Sequence, residues 1–191
     1  MEEVYAPENV KNRLILAGLK ELDKHGVVDF SLRRVAIEAG VSCAAPYRHF
    51  KDKDELISSI LSYVMEGWIL LSGQIGELYA DDVRGLITEL SSAGLLFFVA
   101  NGNFRTVITV APQLSGKTST GAMSDFERPF AEAIDKFCMD KASADKRDIT
   151  FRVLSIIYGA ITLVNDGYES CDEAAIRLRS AVSDILGKYS Q

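Results

Sequence analysis

Residues 31–56 read SLRRVAIEAGVSCAAPYRHFKDKDEL. Ser31 is the kind of residue that caps a helix N-terminus, and Leu32, Val35, Ala36 and Ala39 follow it at helical spacing. Gly40 closes that segment with the backbone freedom a tight turn needs. Val41 reads as a buried hinge, and Ser42 as a second N-cap opening a short helix over 43–50. Asp52 and Glu55 form a capping box for a long helix running to about residue 72. Working back toward the N-terminus, residues 10–25 carry Val10, Leu14, Ala17, Gly18 and Leu22 on one helical stripe, widened by Ile15 and Leu19. Gly26 stops that helix. Three short helices, then a longer one, with the second and third joined by a Gly-containing turn, is the helix-turn-helix plan.

The chain has 191 residues and is 48% hydrophobic, enough to bury a sizeable core. Its formal net charge is −6, which taken globally argues against nucleic acid. The charge is unevenly placed, however. Between residues 31 and 53, Arg33, Arg34, Arg48, Lys51 and Lys53 face only Glu38 and Asp52. A basic footprint on an acidic body is compatible with DNA, because phosphate attraction acts within a Debye length of ~8 Å at physiological salt. Cys43, Cys138 and Cys171 show no CxxC spacing, and their odd number argues for free thiols in a reducing cytoplasm. The polar, acidic residues 1–10 do not read as a secretory signal. No uninterrupted apolar run reaches the ~18 residues of a membrane span, so no membrane partner is expected. With only His25 and His49, no Glu-x-x-His pair, no Gly-rich phosphate loop and no nucleophile elbow, neither a metal site nor an enzyme is expected, and no cofactor is implied.

Residues 31–56 closely resemble the signature of the TetR family. There a Ser or Thr opens the second helix, followed by an Ala-x-x-Ala-Gly-Val-Ser turn and then Tyr-x-His-Phe-x-x-Lys-x-x-Leu. Ala36, Ala39, Gly40, Val41, Ser42, Tyr47, His49, Phe50, Lys53 and Leu56 stand at those landmarks. The resemblance spans roughly the first third of the chain. It implies an all-α fold of about nine helices: a DNA-binding head at 1–50, and a helical-bundle body at 51–191 for ligand binding and dimerisation. It also implies that Ser31, Tyr47, His49 and Lys53 position phosphates. Exposed hydroxyls and helix N-termini suit that task, because their N–H groups and partial positive charge face phosphate oxygens. Ser42 lies at a second such end. Base reading then falls to Cys43, Ala44 and Arg48, assisted by Arg33 or Arg34, with the Ala44 methyl suited to a thymine methyl. A redox role for Cys43 has its motive in the lowered pKa of thiols at helix starts, although a small groove-facing residue is the simpler reading.

Beyond residue 79 the pattern stays helical near 83–101, 104–110, 123–141, 146–166 and 172–189, with a loop at 111–121. Most aromatics of this body should pack its core. Trp68, Phe97, Phe104, Phe126 and Tyr158 are the expected pocket lining, with Arg105 and Asn165 as polar fixtures. Residues 103–108 and 154–160 are faintly similar to a TetR branch named for a Trp…His-Gly element, but Leu154 and Tyr158 stand where that branch has Trp and His. Gly159, Ala160, Leu163, Ala174, Ala175, Leu178, Ala181, Val182 and Ile185 offer small and branched faces for a two-fold four-helix dimer interface. The expectation is a homodimeric regulator, a repressor that leaves a palindromic operator when a small apolar effector binds. The alternative is an architectural or division-associated DNA-binding protein without ligand control. The fourth helix, shared by head and body, would be the lever.

Overall fold

The structure is a computed structural model. It describes residues 7–101, 119–139 and 145–189, with side chains from residue 10 in the first stretch and from residue 124 in the second. Among these residues there are eight helices and no strand. They are α1 (Pro7–His25), α2 (Leu32–Glu38), α3 (Pro46–His49), α4 (Lys53–Leu78), α5 (Val83–Ala100), α6 (Ser119–Cys138), α7 (Lys146–Asn165) and α8 (Cys171–Gly187). Two compact units result, one of residues 7–66 with 119–122, the other of 67–101, 123–139 and 145–189. The helix expected at 104–110, most of the loop expected at 111–121, and Phe104 and Arg105 lie outside the described residues.

In the first unit α1 packs on α2, and α2 on α3. Leu14, Ala17 and Leu22 of α1 and Val35 and Ala36 of α2 are buried together with Phe30, Phe50, Leu56, Ile57, Ile60 and Leu61. Each fully buried large side chain contributes roughly 1.5–3 kcal/mol. One charge lies among them. Glu21 is only 6% exposed, and its Oε1 accepts from the Ser31 backbone N–H at 3.1 Å and from Arg34 Nε at 2.7 Å. Arg34 also donates to the Asp29 carbonyl. Burial alone would raise the Glu21 carboxyl. The Arg34 and Ser31 hydrogen bonds, with the charges of Arg34 and His25, outweigh it and hold the group below its ordinary value.

The turn between α2 and α3 is a Schellman motif. The Gly40 N–H donates to the Ile37 carbonyl and the Val41 N–H to the Ala36 carbonyl, both at 3.0 Å. Gly40 has φ +65°, a left-handed conformation that a side chain would strain. Ser31 caps α2 as expected, accepting from the Arg34 N–H at 3.4 Å. Val41 is half-buried rather than buried. The short helix expected at 43–50 spans Pro46–His49 alone, and its N-cap is Ala45, not Ser42. Proline fixes φ and has no N–H, so it suits the first helical turn, and residues 43–45 form a turn closed by the Ala45 N–H on the Ser42 carbonyl at 2.9 Å.

At the start of α4 the Glu55 N–H donates to Asp52 Oδ1 at 2.9 Å, while Glu55 Oε2 accepts from the Lys51 N–H at 2.6 Å. The capping box is therefore displaced by one residue on its return arm. The helix runs to Leu78, past the expected end near Ser72 and through Gly73 and Gly76.

In the second unit α5 packs on α7 and α8, and α7 packs on α8. Asp82, Asp145 and Ser170 cap α5, α7 and α8 with their side-chain oxygens. Trp68, fully buried, lies 5.0 Å from the Phe126 ring and 6.0 Å from Phe130, and its indole N–H donates to the Phe126 carbonyl at 3.2 Å. Phe98 meets Phe126 edge-on at 4.5 Å. Such pairs add about 0.5–1.5 kcal/mol each beyond their buried area. Gly94 permits this packing, since a Cβ there would stand 3.1 Å from the Phe126 ring. Three helices, α4, α5 and α7, are long and apolar enough by length and composition to cross a membrane, which a count of uninterrupted apolar runs overlooks.

Replacing Glu21 with Gln removes the charge and should destabilise the head by about 1.5–3 kcal/mol. Because the folded carboxyl titrates below its unfolded value, its contribution is complete above pH ~4.5 and fades as pH falls through the folded value. Urea melts of wild type and Glu21→Gln should therefore converge in acid, and a constant gap from pH 7 to pH 3 would contradict this account.

Candidate nucleic-acid interface

The turn and α3 place Ser42, Cys43, Ala44, Tyr47 and Arg48 in exposed positions, with Tyr47 65% exposed. Their hydrophobic counterparts, Ala45, Pro46 and Phe50, are buried. The segment thus carries a solvent-facing set and a core-facing set within about nine residues. His49 is half-buried, with its ring 6.5 Å from that of Phe50.

The cations expected to meet DNA divide into two groups. Arg33 and Arg48 are exposed, and along with Lys51 they make no ion pair among the described residues. Arg34 is held by Glu21 with an ion-pair distance of 2.5 Å. Lys53 donates to the Val27 carbonyl at 2.6 Å and the Val28 carbonyl at 3.4 Å, and lies 5.8 Å from the centre of the Phe30 ring. These two side chains bind the α1–α2 connection to the rest of the head. Glu38, the one carboxylate of α2, is paired with Lys20 at 2.9 Å, and that hydrogen bond lowers its pKa. Of the two carboxylates in residues 31–53, Glu38 is thus matched by Lys20, and Asp52 accepts from the Glu55 N–H. Cys43 precedes α3 by three residues and lies in the turn, so the helix-start argument for a reactive thiol loses its geometric basis.

The expected pocket residues are partly packed against one another. Trp68 and Phe126 are fully buried in the aromatic cluster, and Phe97 lies 5.5 Å from Trp68. The half-buried Tyr158 donates to Glu127 Oε1 at 3.0 Å. Burial, followed by the neighbouring carboxylate, pushes its phenol far above the ordinary value, so it remains a protonated donor. Asn165 is exposed at the end of α7. Two cavities of the second unit are lined instead by other residues. One, of about 240 Å³, lies among α4, α5 and α6 and includes Gly73, Gly76 and Lys136, residues that helical periodicity gave no reason to select. The other, of about 380 Å³, lies along α7 and α8 and includes Gly159, Leu163, Ala174, Leu178 and Ala181. Leu163 is 49% exposed there, whereas Val182 is fully buried inside the unit and Ile185 is half-buried.

Residues 14–60 match the family model described as bacterial regulatory proteins, tetR family. An HTH-type transcriptional regulator of Staphylococcus aureus is 35% identical over 71 residues, a match that spans 37% of this chain and 38% of that relative's length. The fold is similar to that of a TetR transcription regulator from Haloarcula marismortui, with TM-score 0.77 at 20% identity over 96% of this chain and 100% of that one. It is similar as well to the transcriptional regulator FadR from Bacillus subtilis in complex with stearoyl-CoA, with TM-score 0.73 at 15% identity over 94% and 97%. At these identities the structural likeness is one of fold, shared along nearly the whole chain, while the family-model match lies in residues 14–60. The head thus matches the model of the TetR family of bacterial regulatory proteins, and it stands on a fold similar along nearly the whole chain to that of TetR regulators.

Proposed function

We propose that the chain is a cytoplasmic, homodimeric DNA-binding regulator, a repressor released from a palindromic operator by a small molecule. The observation that carries this reading is the α2–turn–α3 segment. Its Gly40 turn leaves Ser42, Cys43, Ala44, Tyr47 and Arg48 exposed beside Arg33 and Lys51, cations with no ion pair among the described residues. In this reading Ser31, Tyr47 and His49 position phosphates and Arg48 reads a base edge, with Cys43 and Ala44 making apolar contact in the major groove. Ser31 serves also as the α2 cap, and Arg34 and Lys53 act by fixing the head from which the others project. Head and body divide near residues 50 and 51, and α4 is the natural carrier of any signal between them.

The α7–α8 groove supports the dimer. Gly159, Ala160 and Leu163 on one helix and Ala181 on the other present a shallow apolar face that a two-fold copy would fill as a four-helix bundle. Two heads would then meet successive major grooves ~34–36 Å apart. A ligand bound preferentially by another conformation of the body would weaken DNA binding about 5–150-fold, for a coupling of ~1–3 kcal/mol. FadR in complex with stearoyl-CoA supports an apolar effector for this fold, and the cavities of the second unit favour ligand control over a purely architectural role.

Arg48→Ala should weaken binding to a promoter fragment from the gene's own locus by about 5–150-fold, corresponding to the ~1–3 kcal/mol of a base contact, and relax the preference at one operator position. Arg33→Ala should weaken it uniformly and flatten the salt dependence by about one unit of slope. Gel retardation across a salt series checks both, and wild-type affinity in Arg48→Ala would contradict the interface. Leu163→Glu, placed in the α7–α8 groove, should convert a dimer to a monomer by light scattering while leaving helix content unchanged. An unchanged mass would remove this face from the dimer contact.

A further inference from the structure

We propose that Arg13 of α1 is a positioning residue for DNA recognition: its guanidinium holds the carbonyl end of α2 and so sets the direction in which segment 42–48 leaves it. This adds a residue to the recognition site read above, and it rests on that reading for its consequence on DNA. At the end of α2 the Val35, Ala36 and Ile37 carbonyls accept from the Ala39, Val41 and Gly40 N–H groups, in that order. The carbonyls of Ala39 and Gly40 are met from α1. Arg13 Nη2 donates to the Ala39 carbonyl and, at 3.3 Å, to the Gly40 carbonyl. One nitrogen thus bridges the two residues at which the chain turns, from a position 26 residues before the first of them. Arg13 itself is half-buried, and the buried Leu14 and Ala17 anchor α1 beside it. A Cβ at Gly40 would stand 3.0 Å from Nη2. Glycine at this position therefore admits the guanidinium as well as the left-handed φ of +65°.

The turn needs such a hold because α3 cannot supply its own. With four residues, Pro46–His49, it falls far short of the ~12–15 at which an isolated helix becomes even marginally stable. Its direction therefore depends on what fixes its two ends. Phe50, 3% exposed, seats the far end in the core. The near end runs through Ser42, Cys43 and Ala44, all exposed, and Arg13 ties the backbone two residues before them. Base reading and phosphate attraction differ in how much misplacement they tolerate. A hydrogen bond to a base edge holds only near ~2.7–3.2 Å, so a shift of about 1 Å removes it. Attraction to phosphates reaches over a Debye length of ~8 Å and survives that shift. Because Arg13 is committed to backbone carbonyls, its removal loosens the turn and takes away no phosphate contact.

Arg13→Met tests this, since it keeps an apolar stem and removes the donors. Gel retardation with the full chain compares a promoter fragment from the gene's own locus with a scrambled duplex of equal length and composition, across a salt series. Arg13→Met should weaken promoter binding about tenfold or more, the scale of a lost base contact. Binding to the scrambled duplex should stay within about twofold of wild type, with the salt slope unchanged. Arg13→Lys restores the charge without the planar fork and should fall between Arg13→Met and wild type. Wild-type promoter affinity in Arg13→Met would overturn the proposal. Equal losses on both duplexes would overturn it too, and a salt slope smaller by about one would then make Arg13 a phosphate contact. Circular dichroism at the assay temperature reports whether Arg13→Met is folded. If it is not, Arg13→Lys decides alone: a promoter loss of about threefold or more with unchanged scrambled binding supports the role, and wild-type promoter affinity overturns it. A wild-type chain that does not prefer the promoter fragment removes the recognition reading and this role together. Preference kept by both wild type and Arg13→Met removes only the role of Arg13.

Discussion

The head is organised around one buried carboxylate. Glu21 sits on α1 among apolar side chains, and the two donors that satisfy it, the Ser31 N–H and the Arg34 guanidinium, belong to the start of α2. An unpaired charge at that position would cost several kcal/mol, so α2 is held where its donors can reach. Ser31 caps α2 from the same place. The Gly40 turn then fixes how α3 leaves α2. The exposed set from Ser42 to Arg48 is therefore fixed in space by a contact that lies on the far side of α2 in sequence.

This arrangement gives the basic residues two different tasks. Arg34 and Lys53 are consumed internally, by a carboxylate and by the carbonyls of Val27 and Val28. Arg33, Arg48 and Lys51 are exposed and make no ion pair among the described residues. Lys20 neutralises Glu38 of α2, so a chain of net charge −6 still keeps a locally positive segment over a short range. Counting charges along the sequence cannot distinguish the fixed cations from the free ones.

The body separates aromatic filling from open space in a comparable way. Trp68, Phe98, Phe126 and Phe130 interlock at centroid distances of 4.5–6.0 Å and fill the volume between their helices. One open groove lies beside Gly73 and Gly76, where side chains are missing, and another runs along α7 and α8. Large aromatic residues therefore mark where this body is full, whereas a glycine serves close packing at Gly94 and open space at Gly76. Choosing pocket residues by aromatic content favours Trp68 and Phe126, which the packing assigns to the core.

Local rules determine much of this protein. Helical periodicity, the caps at Ser31 and Asp52 and the glycines at 26 and 40 specify an all-helical chain with a helix-turn-helix head, because caps, left-handed turns and amphipathic stripes depend only on near neighbours. The N-terminal edge of α3 shows the limit, since Pro46 rather than Ser42 sets its start. What only the tertiary structure decided is which polar groups are spent. Glu21 meets Arg34 across 13 residues and Lys53 meets Val27 across 26, and no local pattern encodes either pairing. The same holds for the groove: a glycine in a helix reads as a defect until the neighbouring helices show whether it admits a ring, as at Gly94, or leaves space, as at Gly76.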